Sequence, residues 1–283
     1  MTTTAAKPAT RDQVSDYEEL ASQQPRRRRR RLPRELRGVL GPILILAVWC
    51  ALSWSGLLTE NVFPAPERVA SAAVEQLRLG TLGPNVAASL ARAMTGLALG
   101  VTIGALIATF AGLTRWAEDS IDSIMQVLKA IPNFALLPLL IIWLGIGETP
   151  KITLVVLATA MPIYINMYGA IRDVDSRLID LSHTVGLSRG QMVWHIVLPG
   201  SLPGFLTGLR IAVTNAWLAL IYVEAINAPQ GLGKLMSDAR SWYRLDIMVL
   251  VICLYAILGL LSYAVVQLLE RVLLQWRSTM GNS

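Results

Sequence analysis

The sequence predicts an all-α, polytopic membrane protein with about six spanning helices. Of its 283 residues, 54% are hydrophobic and 16% are charged, whereas soluble domains carry about 25% charged residues. The apolar residues gather into runs of roughly 20 or more, the length that crosses a bilayer as a helix. Lys and Arg are concentrated in alternate connections between these runs, about 16 on the side of the N-terminus against about 6 on the other. With six spans both termini lie on one side, and the positive-inside rule makes that side cytoplasmic. The expected home is the plasma membrane.

Residues 1–37 read as a disordered basic cytoplasmic tail. The first 25 are polar and poor in large apolar groups. Arg26–Arg31 is an unbroken arginine run that abuts an apolar span, which favours a flank that fixes topology and touches anionic lipid over a nucleic-acid-binding arm. A long polar stretch precedes the apolar segment and no A-x-A-like site follows it, so a signal peptide is not expected.

A transmembrane domain is expected over 38–270, with a polar tail over 271–283. The spans are read at roughly Val39–Leu58, Val86–Leu113, Ile121–Ile146, Ile152–Ile171, Leu202–Ala228 and Leu245–Leu269. Glu67–Leu79 is mixed in character and suits the membrane face. In the second span Gly96, Gly100, Gly104 and Gly112 recur at multiples of four, with Ala108 filling the gap. One face is therefore nearly bare backbone, suited to close helix packing. Arg92, near the outer end of this span, is placed to snorkel or pair. Thr114–Ser120 reads as a short charged turn. The third span is interrupted, because Pro132 and Pro138 each lack the N–H for a helical bond. Pro229–Arg244 reads as an outer loop.

The most informative stretch is the polar connection over 172–200, Asp180–Pro199 above all. Leu178–Val185 suits a short helix, and Gly186 is the residue that tolerates the positive φ of a helix break. Ser188-x-x-Gln191 fits a capping box that starts a second short helix. That helix is expected to stop before Pro199.

These residues carry a resemblance. Gly186, Ile196, Leu198 and Pro199 match the cytoplasmic signature of permease subunits of binding-protein-dependent ABC importers: Glu-Ala-Ala, three residues, Gly, nine residues, Ile-x-Leu-Pro. Asp180, Leu181 and Ser182 stand where Glu-Ala-Ala is usual. The resemblance implies a type I importer permease fold and a coupling helix that docks on an ATPase subunit, with Asp180, Ser182, Gly186, Ser188, Ile196, Leu198 and Pro199 as its residues. Further segments resemble the branch that imports aliphatic sulfonates, taurine, nitrate and related oxyanions: F-P-A-P-E-R-V, S-L-A-R-A-M-T-G, A-I-P-N-F-A-L-L-P-L-L-I-I-W-L-G-I-G-E and A-P-Q-G-L-G-K-L. The family implies a second copy of this chain, two cytoplasmic ATPase subunits and an extracytoplasmic solute-binding protein. The basic N-terminal extension is outside the shared pattern.

Chemistry of its own is not expected from the chain. Gly231-Leu-Gly-Lys234 lacks the remaining glycine and the Ser/Thr of a phosphate loop. Cys50 and Cys253 lie in separate apolar runs, and His183 and His195 share one loop without further ligands, so neither metal nor cofactor is expected. ATP is expected on the partner. Polar residues inside spans are the pathway candidates: Asn133, Tyr164, Asn166, Arg210, Asn215 and Glu224. Glu224 would repel an anion and suits a gate better than a ligand. The competing class is a stand-alone secondary transporter or channel, which would use inverted repeats and midplane carboxylates. A third is a membrane-anchored scaffold working through the arginine tail.

Overall fold

A computed structural model describes residues 34–55 and 63–275 of the chain. Of the predicted tails over 1–37 and 271–283, residues 1–33 and 276–283 lie outside the described residues. The chain divides into two units, residues 1–51 and residues 52–283. The described part of the first unit is helix α1, Arg34–Trp54, which runs on past Ala51. It begins within the predicted basic tail, because Arg, Glu and Leu are good helix formers. Everything below concerns the second unit.

That unit is helical throughout its described residues. The helices are α2 (Pro66–Arg78), α3 (Leu82–Leu113), α4 (Arg115–Ala130), α5 (Leu137–Leu144), α6 (Thr149–Arg172), α7 (Ser176–Thr184), α8 (Arg189–Met192), α9 (Leu198–Asn227), α10 (Leu232–Ser241) and α11 (Leu245–Leu273). Among the described residues, α3, α6, the run Arg189–Ile226 and α11 are each long and apolar enough to cross a bilayer. Residues 123–144 add a fifth as a pair bent by 89°. α1 stands at the place of the first predicted span, but its apolar part, Ile43–Trp54, is shorter than a spanning helix, so among the described residues four to five of the six expected spans have a counterpart long enough to cross.

Three boundaries differ from expectation. The charged stretch after Thr114 is the first turn of α4, because Thr114 alone takes the extended backbone that separates it from α3. The third span breaks once. Ile131 and Pro132 are extended, a 3-10 turn covers Asn133–Leu136, and Pro138 then sits in the first turn of α5, where a missing N–H costs little. The outer loop contains α10, supported by an i,i+4 pair between Lys234 and Asp238 at 2.6 Å. Arg244 ahead of α11 bonds both Asp246, at 2.9 Å, and Glu75 of α2, at 2.7 Å, fixing α2 along α11.

The core is built around α6, which packs between α3 and α9. One face of α3 is buried through Ser89, Arg92, Gly96, Gly100, Gly104 and Ala108. A Cβ on Gly96 would lie 2.5 Å from Val155 Cγ1, and one on Gly104 would lie 2.5 Å from the Ala160 carbonyl oxygen. Gly100 is tighter still, against Thr159. An adjoining face of α6, sharing Ile163, meets a second stripe. A Cβ on Gly204 would collide with Ala170 and the Asn166 carbonyl, and one on Gly208 would lie 2.8 Å from the Pro162 carbonyl. This stripe was legible in G-S-L-P-G-F-L-T-G but was not singled out. Lipid tails are as apolar as Leu, so association within a bilayer depends on close packing, and the bare backbone of two helices against α6 supplies it.

Replacing Gly100 by Val forces α3 away from Thr159. Overpacking of this kind costs about 1–3 kcal/mol. A lower Tm of the purified protein is expected, and Gly83→Ala, whose added methyl meets nothing within 4 Å, serves as the unaffected control.

Candidate functional site

The connection between α6 and α9 is a stiff helix pair. Asp175 caps α7 by accepting a bond from the Arg177 N–H at 2.9 Å. Gly186 has φ +77°, and α7 ends in a Schellman motif. The Leu187 N–H donates to the Ser182 carbonyl at 2.9 Å and the Gly186 N–H to the His183 carbonyl at 3.1 Å. Ser188 then caps α8 reciprocally. Its hydroxyl accepts from the Gln191 N–H, and its own N–H donates to Gln191 Oε1 at 2.9 Å. Backbone groups that would otherwise be orphaned at the break are thus paired within it.

The second helix does not stop at Pro199. Residues Val193–Val197 widen into a π-turn, with the Leu198 N–H bonding the Val193 carbonyl, and the chain runs directly into α9. A proline ring clashes with the carbonyl four residues earlier in an α-helix. The π-turn shifts that register by one residue and lets Leu198 and Pro199 open α9 without a break.

Ser182 is buried, its hydroxyl bonding the Ile179 carbonyl at 2.6 Å. A serine therefore occupies the position as compactly as an alanine. Asp180 is exposed, and its carbonyl accepts from the Thr184 hydroxyl at 3.0 Å. Leu178, Leu181 and Val185 stand at one-turn spacing on α7 and are exposed, Leu181 by 57%. Trp194, on the π-turn, is 70% exposed. Together they give this otherwise polar connection an exposed apolar face. Ile196 turns inward instead, lining a cleft of about 420 Å³ with Val174, Leu178 and Pro203 at the root of the loop. The sequence reading named the capping residues and missed the apolar face, although its three- and four-residue spacing was visible.

The pathway candidates are dispersed. Asn133 lies in the 3-10 turn, half-buried. Tyr164 is buried and stacks on Tyr168 with ring centroids 5.5 Å apart. The Asn166 amide donates to the Pro162 carbonyl at 2.8 Å, satisfying an acceptor inside α6. Asn215 reaches from α9 to the Ala158 carbonyl at 3.3 Å. Arg210 pairs with Glu270 and rests over the Tyr263 ring, 5.6 Å from its centroid. None of these residues lines the clefts described here.

Glu224 is the sharpest departure. It is 0% exposed, so it lines no open surface here. Its carboxylate accepts from both sides of a buried cluster. Ser89 Oγ donates at 2.7 Å, Arg92 Nη1 at 2.7 Å and the Gly233 N–H at 2.9 Å. The Leu232 N–H donates to Ser89 Oγ at 2.8 Å, and Arg92 Nη1 also reaches the Gln230 carbonyl at 2.6 Å. Gly231, at φ +142°, and Gly233 press their Cα atoms against Glu224 so closely that any side chain would collide. The Gly231-Leu-Gly233 stretch is thus a backbone lid over a buried carboxylate. Arg92 completes the cluster by holding Glu148, in the connection ahead of α6, at 2.5 Å through Nε and 3.0 Å through Nη2. Lys151 Nζ adds a bond to Glu148 at 2.8 Å. The Arg92 bond, then Lys151, holds the Glu148 carboxyl down at about 2.

Glycine-packed helices long enough to span a membrane, joined to a capped helix pair, fit the class of transport permeases. Residues 79–275 match the model of the binding-protein-dependent transport system inner membrane component family, and the chain belongs to that family of importer permeases. It is 40% identical over 235 residues to the putative aliphatic sulfonates transport permease protein SsuC of Escherichia coli, covering 83% of this chain and 89% of that one. It is 32% identical to the SsuC protein so described in Bacillus subtilis, covering 86% and 88% of the two chains. The taurine transport system permease protein TauC of Escherichia coli is also 32% identical, over 82% of this chain and 86% of its own length. In fold, it resembles a chain of the inward-facing MetNI methionine ABC transporter, with TM-score 0.55, 21% identity and coverage of 71% and 98%. It also resembles an amino acid ABC transporter, with TM-score 0.58, 15% identity and coverage of 72% and 97%.

Two outcomes follow from the buried cluster. Breaking a buried ion pair from one side costs about 3–5 kcal/mol. Glu224→Gln and Arg92→Met are each expected to lower Tm strongly, and the double variant to lose less than the sum, measured as a double-mutant cycle by thermal melting. For Glu148 the folded value lies below the ordinary 4.5. Its contribution is therefore present at every pH above about 4.5 and fades as pH falls toward about 2. The Tm difference between wild type and Glu148→Gln is expected to hold constant from pH 7 to 5 and to narrow below that.

Proposed function

We propose that this chain is the membrane-spanning subunit of an ATP-driven importer of small sulfonates. In this reading two copies form the translocation unit. Two cytoplasmic ATPase subunits dock on the apolar faces of α7 and the π-turn, and an extracytoplasmic binding protein delivers solute. Both termini are cytoplasmic, as the Lys and Arg bias supports. ATP is bound and hydrolysed by the partner subunits, and the permease itself holds no cofactor or metal and has no nucleic-acid partner. The names of the most similar relatives support a sulfonate or taurine solute.

The observation that carries the coupling role is the exposed row Leu178, Leu181, Val185 and Trp194 on an element whose own hydrogen bonds are closed. ATP binding closes the ATPase pair and draws this element with it. The helices then rock so that a central cavity opens outward, and hydrolysis returns it inward. The coupling is a difference in affinity of the ATP-closed pair for the two permease states.

The test is ATPase activity of the complex in lipid nanodiscs with loaded binding protein. Stimulation by an alkylsulfonate-loaded binding protein is expected in the wild type. Gly186→Pro removes the Gly186 N–H from the Schellman motif and cannot hold φ +77°, so stimulation is expected to vanish while basal hydrolysis by the ATPase subunits persists. A wild-type complex that binds no ATPase subunit would overturn the reading.

A further inference from the structure

Glu148 is an anion held by two buried cations at the edge of an open cleft. Arg92 grips its carboxylate with two bonds and Lys151 adds a third. The cation side chains are 8% and 1% exposed, whereas that of Glu148 is 50% exposed. The cleft it faces holds about 520 Å³ and is lined by Glu148, Lys151 and Lys234 on the polar side and by Ile146, Ile226 and Pro229 on the apolar side. Buried cations are retained at a desolvation cost and need an anion at all times. A half-exposed carboxylate on a short connection is the anion most easily exchanged for another.

We propose that this cleft is a binding site for the transported sulfonate, in which the solute's –SO₃⁻ group displaces the Glu148 carboxylate from Arg92 and Lys151 while its alkyl chain lies against Ile146, Ile226 and Pro229. The proposal rests on the sulfonate reading above. The exchange is one monoanion for another, so the buried charge is unchanged: Glu224 keeps its bond to Arg92, and the freed Glu148 swings into water. A sulfonate suits the site because it stays ionised at every working pH and offers three acceptor oxygens to a guanidinium and an ammonium group. Lys234, at 38% side-chain exposure and paired with Asp238 at 2.6 Å, lies on the rim, where its ammonium group keeps further N–H donors for an incoming anion. Glu148 thus acts as a tethered stand-in that keeps the cations paired while the site holds no solute.

The experiment uses the full complex in nanodiscs and ethanesulfonate as the probe. Equilibrium binding is measured without the binding protein, and transport is measured with it. Glu148→Gln removes the competing charge and is expected to tighten ethanesulfonate binding about tenfold. Lys234→Gln, which leaves the buried cluster untouched, is expected to weaken it several-fold, and propanol at equal concentration is expected not to compete. If wild type transports ethanesulfonate but neither variant shifts its affinity, the cleft is not a solute site and the importer reading stands. If Glu148→Gln does not assemble, Lys234→Gln decides, and an unchanged affinity overturns the proposal. If ethanesulfonate neither binds the wild type nor is transported by it, the sulfonate reading fails and this site fails with it.

Discussion

The absence of side chains between α3, α6 and α9 is the constraint on which the rest depends. In a bilayer no hydrophobic gain accompanies helix association, so contact area must come from shape. Gly96, Gly100 and Gly104 on α3, and Gly204 and Gly208 on α9, bring two backbones against adjoining faces of α6. Once those three axes are fixed, Asn215 can reach the Ala158 carbonyl across the α6–α9 seam. Ser89 and Arg92 are likewise carried to Glu224 across more than 130 residues of sequence.

The cluster around Glu224 closes the other end of the same three-helix unit. Its members come from α3, α9 and the lid ahead of α10, with Glu148 attached from the start of α6. A buried carboxylate is tolerated only where donors surround it, and here a guanidinium, a hydroxyl and a backbone N–H do so. The two ends of the unit therefore differ in kind. The end near Glu224 is cross-linked by charge, while the end that carries α7 and α8 is held by caps and shows apolar surface outward.

What was legible in the sequence was local. Gly186, Ser188 and Gln191 act within a few residues of one another, so spacing alone revealed the turn and the capping box. The glycine stripe of α3 was visible for the same reason, since helical periodicity is a local signal. Pro199 misled because its rule assumes an α-helical register, and the π-turn at Val193–Val197 changes the register rather than obeying the rule. The surroundings of Glu224 were not legible for a different reason. A carboxylate in an apolar run has the same local appearance whether it faces a pathway or a guanidinium from a distant helix. Gly231 and Gly233 looked like a fragment of a phosphate loop because both structures need backbone N–H groups close to an anion. Here the anion belongs to the chain itself.

The π-turn makes Arg189–Ile226 one uninterrupted run of 38 residues. At about 1.5 Å per residue it is a strut of roughly 57 Å. Trp194 stands near one tip and Glu224 near the other, with the sharp bend displaced to Gly186, outside the strut. Its two departures from regular α geometry, the π-turn and Pro203, both lie in the half nearer Trp194. Beyond Pro203 the helix runs regularly to the charge cluster, so the capped end and the charged end of the unit are carried on one continuous element.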